Sequence, residues 1–307
     1  MLKGLSNVDW GALEHAYGAA SDTPDALRAL LSQDPSVQDA AMDDLWSSLC
    51  HQGTIYEASL QAVPFLLELL AAPETTRKAE ILLLLVGLAD GGFPDRFDVA
   101  AGRLLSELDT PDARREVAER RHLPGRLREA VCAGRDIYLA LLTADAREDR
   151  SAALRVLTTA CTGDDDGSEI ASALRRRSDA ESDRLVRAAL VRFLAAFRPL
   201  DKATQAFLAD IRTRDPDPLA RLAAAAALAY GMGESVPVEV EDSLVSALGF
   251  GEPGALELYS RVVSYDEVVD GTEGAIDLAI GLRQMGERSI ATAAPRLERL
   301  LATRCAE

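Results

Sequence analysis

Asp149-Arg-Ser-Ala-Ala-Leu-Arg-Val-Leu157, Asp183-Arg-Leu-Val-Arg-Ala-Ala-Leu-Val191 and Asp217-Pro-Leu-Ala-Arg-Leu-Ala-Ala-Ala225 begin 34 residues apart. Each opens on an aspartate and continues as an Ala/Leu/Val helix with arginine on its wet side. A repeat of this length is one helical hairpin. It is too small to bury its own apolar face, so it must stack on copies of itself. The expected fold is all-α, a right-handed α-solenoid of stacked antiparallel helical hairpins. A solenoid grows by stacking, so residues 1–307 are expected to form a single domain. Gly, Pro and acidic residues make the pattern least regular near 90–125 and 231–271.

Local punctuation supports helices throughout. Asp22/Thr23 before Pro24, Asp34 before Pro35, Thr110 before Pro111 and Asp217 before Pro218 are expected helix starts. The acidic or hydroxyl oxygen takes an orphan N–H, and proline has none to waste there. Gly53, Gly91, Gly163 and Gly231 are expected stops. The spacing predicts helices over 9–19, 35–50, 55–71, 75–89, 95–108, 111–121, 125–144, 147–161, 168–179, 182–197, 201–213, 217–230, 239–249, 253–264, 272–284 and 288–303 among others. No strand is expected, and Val236–Val240 reads as an extended linker.

Ala62-Val-Pro64-Phe-Leu66-Leu-Glu-Leu69-Leu70 aligns with Ala293-Ala-Pro295-Arg-Leu297-Glu-Arg-Leu300-Leu301. This A-x-P-x-L-x-x-L-L pattern resembles the second helix of a HEAT repeat. The helices before it, Val37–Cys50 and Ile276–Gly286, resemble the first. The string W-x-x-L-x-H-Q-G-T-x-Y-x-A-S, Trp46 to Ser59, looks like one in bacterial HEAT-repeat proteins. The resemblance implies an armadillo-like superhelix but no particular function. Proline costs about 3 kcal/mol inside a helix, so Pro64 and Pro295 are expected near a helix start or a bend.

Charge narrows the partners. The net charge of −17 divides into −11 over residues 1–111, +2 over 112–198 and −8 over 199–307. Such a chain is repelled by nucleic acid and anionic membrane and steered toward basic partners. No secretory signal or membrane-length apolar run is evident. Cys50, Cys132, Cys161 and Cys305 are scattered without a C-x-x-C pair, so neither a disulfide framework nor a zinc site is expected. Cytoplasm is the default.

Two groups are candidates for binding. Trp46, His51, Gln52 and Tyr56 cluster at the junction of the first clear hairpin. They form either a binding edge with a stacking wall or an elaborate turn. In the turn, Gly53 supplies the left-handed residue, Thr54 caps the next helix and His51 ties down a helix-end carbonyl. Arg150, Arg184, Arg187 and Arg221 recur on successive helices and form either a ladder for a carboxylate- or phosphate-rich ligand or a solvated face. Gly163-Asp-Asp-Asp-Gly167 lacks the alternation of an EF-hand loop and reads as a solvated turn capped by Asp166 or Ser168. Cys50 and His51, adjacent on a helix, diverge too far to form a dyad.

The expectation is therefore a non-enzymatic protein-binding scaffold or adaptor without metal or cofactor, holding a basic protein partner, in one form an inhibitor or immunity protein. The alternative is a HEAT-like DNA-binding protein or alkylpurine DNA glycosylase using the central arginine-rich face. Against it, Trp10 and Trp46 lie far from those arginines. The oligomeric state is not legible in the sequence.

Overall fold

A computed structural model describes residues 1–91, 111–250, 255–263 and 272–286. The fold is all-α, with two short β-hairpins. The chain divides into two compact units, Met1–Cys161 and Thr162–Glu307. The helices expected at 95–108 and 288–303, the second proline motif at 293–301, and Cys305 lie outside the described residues.

The first unit opens with two 3-10 turns, Leu5–Asn7 and Trp10–Ala12. Strands β1 (Glu14–His15) and β2 (Gly18–Ala19) follow, then α1 (Thr23–Ala29) and α2 (Pro35–Leu49). A second hairpin, β3 (Cys50–His51) and β4 (Thr54–Ile55), leads into α3 (Glu57–Ala71) and α4 (Lys78–Asp90). After the undescribed segment come α5 (Pro111–Cys132), α6 (Arg135–Leu141) and α7 (Arg147–Ala160). Helix α4 is apolar all round because α2, α3, α5 and α7 all pack on it. Ile81, Leu82, Leu84, Leu85 and Leu88 are wholly buried.

The second unit contains α8 (Asp164–Ala180), α9 (Arg184–Arg192), α10 (Lys202–Arg214), α11 (Pro218–Met232), α12 (Val238–Phe250), α13 (Ala255–Val263) and α14 (Thr272–Gln284). Here α11 is central, touching α9, α10, α12, α13 and α14. Its run Ala223–Ala227 is fully buried, and small side chains let five neighbours approach one helix.

Several expectations need correction. Residues 9–19 form a 3-10 turn and a hairpin rather than a helix, and 50–55 form a second hairpin. Pro64 and Pro124 both sit inside continuous helices, α3 and α5. Gly163 precedes α8 with φ −67°, and Gly231 lies within α11; the turn comes at Gly233. Most of Val236–Val240 is the start of α12. Cys132 and Cys161, 29 residues apart in sequence, are joined as a disulfide with Cα atoms 5.1 Å apart. The ends of α5 and α7 come together by packing, which sequence spacing does not encode.

The caps at Asp34, Asp183 and Asp217 accept N–H bonds from Ser36, Leu185 and Leu219 respectively, each at 2.9 Å. Asp149 behaves otherwise. Helix α7 starts at Arg147 after Ala146, which places Asp149 inside its first turn. Its carboxylate accepts from the N–H of Ala79 beside Lys78, at the start of α4, a helix that no side chain of its own caps. Burial still raises the Asp149 pKa, with Lys78 and the Ala79 N–H opposing that rise. The motif repeats at 34 residues, but the helix starts 147, 184 and 218 do not repeat evenly.

Candidate functional site

Aligned by helix start, Arg150, Arg187 and Arg221 each occupy the fourth position of α7, α9 and α11. Each turns inward. Arg150 is buried and donates to the carbonyls of Ala144 and Asp145 at 2.9 and 2.8 Å. Arg221 donates to Asp215 O at 2.7 Å and Pro216 O at 3.3 Å, the same two positions relative to itself. Arg187 reaches Ser178 O at 3.2 Å and forks onto the Asp215 carboxylate. Arg184 holds both oxygens of Asp217 at 2.9 Å. Asp217 thus caps α11 while pairing with α9, and the Arg187 fork together with the Asp217 N–H holds the Asp215 carboxyl below its ordinary pKa. Arg184, Arg187 and Arg221 share the second unit, whereas Arg150 lies in the first. In this role the arginines fasten loops to helix starts.

His51, Gln52 and Tyr56 lie in the α2–α3 connection of the first unit, and Trp46 lies in the last turn of α2. Trp46 packs inward: a Cβ on Gly87 of α4 would lie 2.9 Å from its ring and 3.3 Å from the Cys50 sulfur. Burial and nearby Asp90 push the Cys50 thiol pKa up, the reverse of what a nucleophile needs. Tyr56 precedes α3, and its N–H donates to Ser59 Oγ, which itself donates to Leu49 O at 2.7 Å. Ser59, rather than Thr54, secures this helix start. His51 pairs with Thr54 across a two-residue loop in which Gln52 and Gly53 both have positive φ, 49° and 83°. That is a type I′ turn, whose twist suits a tight hairpin.

The same unit carries a group that the sequence reading missed. In the first hairpin His15 pairs with Gly18, leaving Ala16 and Tyr17 at the tip. Ala16 N–H donates to Ser48 O at 3.0 Å, which fixes this tip to the end of α2. Tyr17 is 67% exposed. Its ring meets the His51 ring edge-on at 5.5 Å and the His15 ring at 6.1 Å.

The imidazole protons follow from the partners. Tyr17 N–H donates to His15 Nδ1 at 3.1 Å, so the His15 proton lies on Nε2 and is donated to Asp22 Oδ1 at 2.8 Å. Asp22 stands at the N-terminal boundary of α1 yet makes no side-chain bond to that helix. His51 Nδ1 lies 3.1 Å from Ser47 O, a pure acceptor, so this nitrogen carries the proton. His51 Nε2 is then an acceptor, without a hydrogen-bond partner among the described residues. The helix-end carbonyl role expected of His51 is present. The signal that was available for the missed hairpin is the pair Gly11 and Gly18, which make 9–19 a poor helix.

An enclosed polar cluster lies in the second unit. Arg192 forks onto Asp277, with Nε–Oδ2 2.9 Å, while Tyr259 OH donates to Asp277 Oδ2 at 2.6 Å. Tyr230 OH lies 3.0 Å from Asp277 Oδ1, and its ring faces the guanidinium at 4.0 Å. Burial leads the rise of both phenol pKa values, and Asp277 adds to it. Every polar group here has a partner, which makes the cluster a clasp joining α9, α11, α13 and α14. A shallow cleft of about 120 Å³ lies between the start of α8 and residues 197–204, lined by Gly163, Gly167, Phe197 and Asp201. The three aspartates 164–166 fall in the first turn of α8 instead of a loop before it.

Among the described residues no group of three His, Cys, Asp or Glu side chains could hold a metal ion. No described helix is long and apolar enough to cross a membrane. No family model and no curated protein matches the chain. Among solved structures, two engineered proteins from the Northeast Structural Genomics Consortium are similar to it. One is 18% identical with a TM-score of 0.42, covering 85% of this chain and 98% of its own. The other is also 18% identical with a TM-score of 0.31, covering 89% of this chain and 72% of its own.

Proposed function

We propose that the chain is a non-enzymatic protein-binding scaffold, each unit a stack of HEAT-like hairpins, and that its partner is a basic protein. The contact edge is the pair of hairpin tips carrying Tyr17, His51 and Gln52. One observation carries this reading. The arginines that would serve a phosphate grip are spent on carbonyls and carboxylates of their own unit, whereas Tyr17 stands 67% exposed. Tyrosine gives a large contact area at small entropic cost, which is why it recurs at the centres of interfaces. The surrounding stretch 1–111 carries a net −11, which steers basic proteins toward it. An inhibitor that covers a basic toxin or nuclease is one concrete form.

The test is capture with the full chain, followed by calorimetry with the purified captured protein. Tyr17→Ala is expected to weaken the complex about tenfold, and Arg184→Ala less than about twofold. Equal affinity for Tyr17→Ala and the parent chain would remove the edge from the account.

A further inference from the structure

Resting on that reading of the edge, we infer that the Tyr17–His51–Asp22 cluster receives an arginine side chain of the partner. The groups offered are mainly acceptors. Tyr17 presents an exposed aromatic ring. Asp22, 76% exposed, has one oxygen on His15 and its other free of hydrogen bonds among the described residues. His51 Nε2 is an acceptor because its Nδ1 proton is engaged by Ser47 O. A guanidinium is donor-only, planar and weakly hydrated, so it stacks on a ring while its fork reaches acceptors at the rim. An ammonium is a point charge and uses such a cluster less well.

The cluster is also held in place before any ligand arrives. His15, whose side chain is 2% exposed, bonds the Tyr17 amide with one nitrogen and the Asp22 carboxylate with the other. One buried ring thereby sets the spacing between the stacking surface and the anion. Asp22 forgoes the capping bond that its position at the head of α1 allows, and its carboxylate is directed onto the hairpin instead. The Tyr17 ring is flanked by imidazoles on two sides. Fixed acceptors lower the ordering cost that a mobile acidic surface would charge. Exposed Glu14, beside His15 in the same hairpin, disfavours an anionic occupant.

Isothermal titration of the full chain with hexa-arginine and hexa-lysine, at about 0.15 M salt to suppress long-range attraction, tests this. Hexa-arginine is expected to bind about fivefold tighter than hexa-lysine. Tyr17→Ala and Asp22→Asn should each weaken hexa-arginine by about fivefold. Asparagine can still accept from His15, so circular dichroism should be unchanged. Tyr17→Phe, which keeps the ring, and Glu74→Gln, at an exposed acid between α3 and α4, should each stay within about twofold. Equal binding of the two peptides, or an equal loss from Glu74→Gln, overturns the inference. If the captured partner needs Tyr17 while hexa-arginine ignores both Tyr17 and Asp22, the edge stands and the arginine is discarded. If the partner ignores Tyr17, the edge itself falls.

Discussion

Arg192 and Asp277, 85 positions apart, form a two-point ion pair with side chains 7% and 15% exposed. The carboxylate is shared with the hydroxyls of Tyr230 and Tyr259, so four helices of the second unit meet on one anion. Two enclosed charges are tolerated because the ion pair has two points of contact and both tyrosine hydroxyls bond the carboxylate.

Removing one partner is the damaging change. Arg192→Met or Asp277→Leu should each destabilise the second unit by about 3–5 kcal/mol, because a buried charge is left alone. The double variant should recover a large part of that loss. Chemical denaturation of the three variants checks this, and additive losses would mean the pair is not coupled.

Acid should weaken the α9–α11 junction. The Asp215 pKa is held below its ordinary value of 3.8, first by the Arg187 fork and then by the Asp217 N–H. A depressed carboxylate contributes stability that is whole above the unfolded pKa and lost as pH falls through the folded one. Urea midpoints should therefore drop below about pH 4, and Asp215→Asn should flatten that drop. An unchanged acid slope in the variant would remove Asp215 from the explanation.

Helix α4 leaves no room at Gly87. Gly87→Ala puts a methyl group 2.9 Å from the Trp46 ring, and should cost about 1–3 kcal/mol through overpacking. Trp46 fluorescence should shift with it. A variant of parental stability and spectrum would show that α2 and α4 lie farther apart.

The Cys132–Cys161 bond closes a separation of 29 residues. The loop-entropy relation assigns about 3–4 kcal/mol to closing it in the unfolded chain. Reductant should lower the melting temperature of the parent chain but not that of the Cys132→Ser/Cys161→Ser pair. Equal responses would show that the bond contributes nothing to stability.

The local grammar of this fold was legible, and its long-range pairing was not. Asp34, Asp183 and Asp217 cap the helices that follow them, because capping needs only the next few residues. Asp149 has the same letters around it but caps α4, a choice made by packing between helices. Pro64 is expected near a helix start or a bend, yet the surrounding packing carries α3 through it, as it carries α5 through Pro124. The arginine ladder was visible as a repeat, while its partners at Ala144, Asp145, Asp215 and Asp217 were not. At the candidate edge, the sequence around His51, Gln52 and Gly53 supports both a binding edge and a turn. Tyr17 was hidden because an apolar period over 9–19 outweighed Gly11 and Gly18.

Photocrosslinking at single sites tests the central claim most directly. A benzophenone side chain is introduced by Tyr17→p-benzoylphenylalanine or Gln52→p-benzoylphenylalanine at the hairpin tips, and by Arg184→p-benzoylphenylalanine on α9. Positions 17 and 52 are predicted to trap one and the same basic protein on irradiation, with position 184 silent. Trapping at 184 with nothing at 17 or 52 would contradict the account.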